Sequence, residues 1–138
     1  MAHSSRDMNK RVLIADDNDY VRTVIRTFLQ DVPDIEICGE AVDGQEAVNM
    51  ASDLKADLVL LDLSMPTLNG AEVTSILKKK MPEVRIILFT MYSDKIGEPL
   101  LATIGADAVL SKPNGMAHLV ESIHHVFATP SATVHGPV

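Results

Sequence analysis

The sequence predicts an α/β fold: a five-stranded parallel sheet, doubly wound, with helices on both faces. The stretches VLIADD, LVLLD, IILFT and AVLSK are apolar and each ends on a polar residue. Short apolar runs bounded by polar residues read as strands buried on both faces, the pattern of a parallel sheet. Between them lie segments whose apolar residues recur at helical spacing, and alternating strands and helices imply right-handed crossovers. A third observation concerns the strand ends. In an open parallel sheet, ligands sit outside the carboxyl ends of the strands. Asp16 and Asp17, then Asp62, Thr90 and Lys112 occupy those ends. Three carboxylates, a hydroxyl and an ammonium are therefore expected to converge on one site.

The first ten residues are polar and aperiodic and read as a loose tail. Residues 11–16 form the first strand, after which Asn18 can cap a helix with apolar positions Val21, Val24, Ile25, Phe28 and Leu29. Asp19 falls in the first turn, where negative charge is favourable. Pro33 and Asp34 break the helix. Residues 35–41 form the second strand, and a second helix starts near Asp43. LVLLD is the third strand and SMPTLNG a loop. Val73, Ile76 and Leu77 line a third helix that runs to Met81 and is stopped by Pro82. Residues 85–90 and 108–112 are strands four and five. Gly97 and Pro99 fall between them. Proline is tolerated at the first helical position and costs about 3 kcal/mol in a helix interior. The helix here either starts late, with Pro99 in its first turn, or starts at Asp94 and kinks; the late start is favoured. Met116, Leu119, Val120, Ile123 and Phe127 give a last amphipathic helix, and ATPSATVHGPV has too few large apolar residues to pack.

With 138 residues, 46% hydrophobic and 22% charged, the chain suits one globular domain. A net charge of −7 argues against a nucleic-acid surface, which needs a basic face. The basic run at 78–80 is expected to be a solvated helix end, favourable to the helix dipole. Cys38, alone in IEIC, reads as a small core residue. A lone cysteine fits a reducing compartment, no apolar stretch reaches the roughly 18 residues of a spanning helix, and no signal peptide opens the chain. Together these point to a cytoplasmic protein with no membrane contact. His118, His124 and His125 do not share one ligand face and read as solvated. The methionines at 50, 65, 81 and 116 are scattered core or loop residues.

Three crowded carboxylates repel and need a counter-charge. Mg2+ supplies one and favours one or two carboxylates with waters and a phosphate oxygen. An aspartate of ordinary acidity is already an anion at neutral pH and can attack phosphorus without a general base. Phosphoryl transfer then depends on positioning and charge stabilisation, from lysine and hydroxyl as well as metal.

The motifs LIADDN, LLDLSMPTLNG, LFTM and GADAVLSKP, in that order, resemble a bacterial response-regulator receiver domain over residues 9–128. Residues 1–8 are then a flexible N-terminal tail, and 129–138 a C-terminal tail or severed linker. The wording DLSMP and FTM is most similar to receivers that precede a helix-turn-helix output domain, which would make transcription regulation the purpose. The resemblance implies a flavodoxin-like (βα)5 fold of strand order 2-1-3-4-5. It implies that Asp62 is phosphorylated by a sensor histidine kinase or phosphotransfer protein. Asp17 would ligate Mg2+ directly, Asp16 directly or through water, and Asp62 and the Ser64 carbonyl would complete the protein ligands. Thr90 would be the switch hydroxyl, and Lys112 would pair with the phosphoryl group, with the Lys112–Pro113 bond cis as is typical of the family. The output would be altered binding of a downstream domain or protein at the face of the fourth helix, fifth strand and fifth helix. Such a protein is a regulator rather than an enzyme, catalysing only its own phosphotransfer and dephosphorylation.

Two positions depart from the family. Many receivers carry an aromatic residue three positions before the lysine, where this chain has Val109, whose β-branched side chain cannot swing as a ring does. Output is then expected to run through the backbone after strand four. Tyr92, two residues past Thr90, could shield the acyl phosphate from water. Other functions fit less well. A haloacid-dehalogenase-type phosphohydrolase needs DxDx(T/V) after its first strand, and ADDND lacks that spacing. A flavin site needs a Ser/Thr/Gly-rich loop where this one is acidic. A degenerate docking module is disfavoured because Asp62, Thr90 and Lys112 are all present. The chain is either a single-domain receiver or a piece whose output domain follows.

Overall fold

The structure, a computed structural model, describes residues 9–90, 104–111 and 116–129. Its elements are β1 (Lys10–Ala15), α1 (Asp19–Leu29), β2 (Ile35–Ala41), α2 (Gly44–Asp53), β3 (Leu58–Asp62), α3 (Gly70–Lys80), β4 (Arg85–Thr90) and β5 (Ala108–Ser111). A 3-10 turn (Met116–His118) then leads into α4 (Leu119–Phe127). The five strands form one sheet of order β2-β1-β3-β4-β5, with every pairing parallel. Both the architecture and the order agree with expectation. The readings of Gly97, Pro99, Tyr92 and the Lys112–Pro113 bond lie outside the described residues, as do residues 1–8 and 130–138 of the tails. Lys10, read with the loose first ten residues, instead opens β1, its N–H donating to Asp34 O at 2.9 Å.

The alternation of each strand divides the core in two. Leu13, Val59, Leu61, Ile86 and Leu88 pack on one face with Ala47, Ala51, Val73 and Leu77 from α2 and α3. Val12, Ile14, Leu58, Leu60, Ile87 and Phe89 pack on the other with Ile25, Leu29, Leu119 and Ile123 from α1 and α4. Strands apolar at both parities are what a doubly covered sheet requires.

Edge strand β2 breaks its alternation. Val12 pairs with Ile37 but Leu13 pairs with Gly39, so Cys38 is an extra residue on β2. A bulge of this kind flips the facing of every later side chain. Ile35 and Ile37 pack on the α1 side; beyond the bulge Glu40 bonds residues of α1, and Ala41 joins the opposite core. Cys38 is accordingly half-buried at the bulge rather than deep in the core, and burial raises its thiol pKa.

The helix ends follow the sequence cues. Asn18 Oδ1 accepts from Val21 N–H, Asp43 caps α2 through Glu46 N–H, and Asn69 with Glu72 forms a reciprocal capping box on α3. Three details differ from expectation. Phe28 is 46% exposed, because the buried stripe of α1 runs through Arg22, Ile25 and Leu29. The last helix begins as a 3-10 turn. Lys78 is not a solvated end. It is buried, its Nζ donating to Val84 O at 2.6 Å and to Asp107 Oδ2 at 2.9 Å. Four residues after buried Thr74, it lies on the face that meets the sheet, while Lys79 and Lys80 are exposed. His118, His124 and His125 are exposed as expected, and His124 Nε2 meets Asp34 at 3.0 Å.

The end of α4 is fastened to the sheet. Arg85, which opens β4, donates from Nη1 to Val126 O at 2.9 Å and to Thr129 O at 2.5 Å. The Phe127 ring lies under Lys10 Nζ, 4.9 Å from its centroid, and 6.0 Å from the Arg85 guanidinium. Among the described residues, no helix is long and apolar enough to cross a membrane.

Candidate acidic site at the carboxyl edge of the sheet

β1 and β3 are neighbours, so the residues that end them meet. Asp16 follows the last residue of β1, and its N–H still donates to Ala41 O at 3.1 Å. Asp62 is the last residue of β3. Carboxylate oxygens of Asp16, Asp17 and Asp62 all lie within 4.8 Å of one another. The three differ in environment. Asp16 and Asp62 are buried and Asp17 is exposed. Asp16 Oδ1 accepts from Asn18 N–H at 2.8 Å, and Asp62 Oδ1 accepts from Ser64 N–H at 3.3 Å. An all-oxygen donor set suits a hard cation such as Mg2+.

The loop that follows Asp62 is held from two sides. Gly70, at the first position of α3, donates its N–H to Leu63 O at 2.8 Å, and a Cβ there would come within 2.8 Å of Asp62 O. On the other side, Gly44 N–H donates to Pro66 O at 3.2 Å, and Gln45 N–H donates to Thr67 Oγ1 at 3.0 Å. Thr67 adopts φ +67°, a left-handed conformation unusual for a β-branched residue. The start of α2 thus braces the segment that carries Ser64 and Met65. Ser64 itself is exposed.

Thr90 ends β4 and is buried, with its Cα paired to Ser111 of β5. Lys112, next after Ser111, lies outside the described residues. Val109 is half-buried against the α2/α3-side core, in register with Leu88. Two cations missing from the sequence reading also appear. Arg22, only 8% exposed, donates to Asp16 O at 2.5 Å and to Glu40 Oε1 at 3.2 Å, and it pairs with Asp19. Arg26 pairs with the other Glu40 oxygen. The available signal was an arginine at the position of α1 that completes its apolar stripe.

The response regulator receiver domain model matches residues 12–124. The chain belongs to the response-regulator receiver family. As a receiver, it is 36% identical over 118 residues to the response regulator GacA of Pseudomonas viridiflava, covering 86% of this chain and 55% of that protein. It is 31% identical over 121 residues to the response regulator protein VraR of Staphylococcus saprophyticus, covering 88% of this chain and 58% of that one. The chain therefore spans little more than half the length of these relatives. Among solved structures, the response regulator domain of Thermotoga maritima CheB superposes with TM-score 0.80 at 30% identity, covering 88% of this chain and 98% of that one. A LuxR-family response regulator from Aurantimonas superposes with TM-score 0.81 at 27% identity, covering 89% and 88%. The family places this receiver in two-component signalling.

Proposed function

We propose that this receiver is a phosphoacceptor switch in which Asp62 takes a phosphoryl group from a sensor histidine kinase or phosphotransfer protein. Mg2+ would be held by Asp16, Asp17, Asp62 and the backbone carbonyl of Ser64. The observation that carries the reading is the meeting of three carboxylates within 4.8 Å at the edge where β1 and β3 end, an arrangement of like charges that calls for a cation. When bound, Mg2+ supplies positive charge against both the carboxylates and the incoming phosphoryl oxygens.

The protein's own part is orientation. Ser64 N–H holds one oxygen of Asp62. A carboxylate oxygen of Asp62 bonds to phosphorus while the bond from phosphorus to the donor's histidine nitrogen breaks, the electron pair staying on nitrogen. Thr90 would donate its hydroxyl to the phosphoryl group, and Lys112 would pair with it as a point charge. Burial of Asp62 and Thr90 strengthens such contacts by excluding water. The domain would comprise residues 9–128, with 1–8 and 129–138 as tails, and its catalysis would extend only to its own phosphotransfer and dephosphorylation.

Output would appear at the face of β5, α4 and the helix preceding β5, as altered binding of a downstream domain or protein. That equilibrium shifts only by as much as the partner discriminates between the two states. Val109, half-buried and β-branched, supports a route through backbone shifts after β4 rather than through a swinging ring. The decisive experiment is intact mass after incubation with a small phosphoryl donor and Mg2+. One added phosphoryl group is expected, absent without metal and in Asp62→Asn. No adduct, with Mg2+ binding shown separately, would leave the acidic site a cation site without acceptor chemistry.

A further inference from the structure

We propose that Arg22 is a positioning residue for the acidic site, acting through the Asp16 backbone and braced by the bulge in β2. The inference rests on the reading of Asp16, Asp17 and Asp62 as a cation site. Arg22 directs its donors to three places. Nη1 meets the carbonyl of Asp16 at 2.5 Å, Nη2 meets the Asp19 carboxylate, and Nε meets Glu40 Oε1 at 3.2 Å. Its side chain is only 10% exposed. The guanidinium therefore joins the end of β1, the first turn of α1 and the end of β2.

Asp16 is fixed on several sides as a result. Its N–H is bound to β2 at Ala41 O, its carbonyl is held by Arg22, and its Oδ1 by Asn18 N–H. The turn that aims Asp16 and Asp17 is thus set by contacts outside the carboxylates themselves. The bulge is what makes this possible. In an unbroken β2, Glu40 would share the facing of Glu36, whose carboxylate pairs with Arg11, and Ala41 would share that of Ile35. The extra residue at Cys38 turns Glu40 toward α1 instead. There its two oxygens receive Arg22 and Arg26. A planar fork with separately aimed donors is needed, which lysine does not provide.

Charge and position give opposite signs, so one experiment separates them. A guanidinium near a cation site repels the cation. On charge alone, Arg22→Met should tighten Mg2+ binding, and Arg22→Lys should leave it unchanged. If Arg22 positions Asp16, both variants bind Mg2+ more weakly. Loss of outer support around a metal site typically costs about tenfold in affinity. Arg22→Met is expected to lose about that much, and Arg22→Lys a smaller but clear share.

The measurement is a Mg2+ titration followed by amide NMR shifts of residues 16–18, with thermal unfolding recorded on each variant. Weaker binding in folded Arg22→Lys supports the proposal, and that variant remains decisive if Arg22→Met does not fold. Affinity equal to or tighter than the parent's, even with a lowered Tm, overturns it and leaves Arg22 a structural bridge. If the parent shows no Mg2+ response, the cation reading itself fails and this inference falls with it.

Discussion

Lys78 and Asp107 form an ion pair in which both side chains are only 6% exposed. Asp107 Oδ2 also accepts the Ile86 N–H at 2.8 Å. Removing one partner of a buried pair leaves an uncompensated charge and typically costs about 3–5 kcal/mol. Lys78→Met should lose stability on that scale in denaturant unfolding, while Lys79→Ala, at an exposed position, should stay within about 0.5 kcal/mol of the parent. Equal effects would place Lys78 in solvent. Sequence reading handled the neighbours of this residue and missed Lys78 itself, for a physical reason. Pattern arguments assign charge to the surface, yet a long side chain can follow an apolar face and bury its head against a carboxylate. Arg22 escaped notice in the same way. Asp16, Asp17, Asp62 and Thr90 were legible because their position is dictated by the strands they end.

At the scale of elements, the loop after β3 and the start of α2 act as one piece. A Cβ on Gly44 would lie 1.9 Å from Leu68 O, a backbone atom that cannot rotate away. Overpacking typically costs about 1–3 kcal/mol, and Gly44→Ala should fall at the upper end. If Asp62 is the acceptor, as proposed, the variant should also be phosphorylated more slowly because the Ser64 segment is displaced. Asn69→Ala, which removes one half of the α3 capping box, should cost about 1 kcal/mol and leave the phosphorylation rate closer to the parent's. Unfolding curves and rates on the two variants test that contrast, and a rate loss in step with stability in both would sink it. The first two helix starts were readable because Asn18 and Asp43 sit at recognisable positions, whereas Asn69, read as part of the loop, caps α3. The position of the bulge in β2 was not readable. Gly39 inside IEICGEA is a bulge signal, but a lone glycine does not say which residue is extra, since pairing register is settled by the neighbouring strand.

Across the whole molecule, two packed cores hold the sheet rigid and leave like charges crowded along one edge. That crowding has a stability cost, which a cation bound as proposed would offset. Binding at a hundredfold excess over Kd stabilises a protein by about 2.7 kcal/mol, so Tm should rise with Mg2+. In Asp17→Asn the rise should largely vanish, while the metal-free protein should be more stable than the parent because one repelling charge is gone. Thermal scans with and without Mg2+ decide the matter. A variant that keeps the Mg2+ response would remove Asp17 from the cation site. The overall architecture was legible because period-two strands apolar at both parities admit only a sheet covered on both sides.

The grip of Arg85 on the carbonyls of Val126 and Thr129 has a mechanical meaning. α4 runs back against the direction of the strands, so its last turn lies at the foot of the sheet, about 17–20 Å of strand length from the acidic edge. The chain past Thr129 leaves from the end of the sheet opposite the acidic edge, with Arg85 of β4 on the carbonyls of Val126 and Thr129 and Lys10 of β1 over the Phe127 ring. A phosphoryl group taken up at the acidic edge, as proposed, would act a full strand length away from that exit. On the proposed reading, the end that changes charge and the end that Arg85 holds are opposite ends of one sheet, so the carbonyls of Val126 and Thr129 stay anchored to β4 while the acidic edge is remodelled.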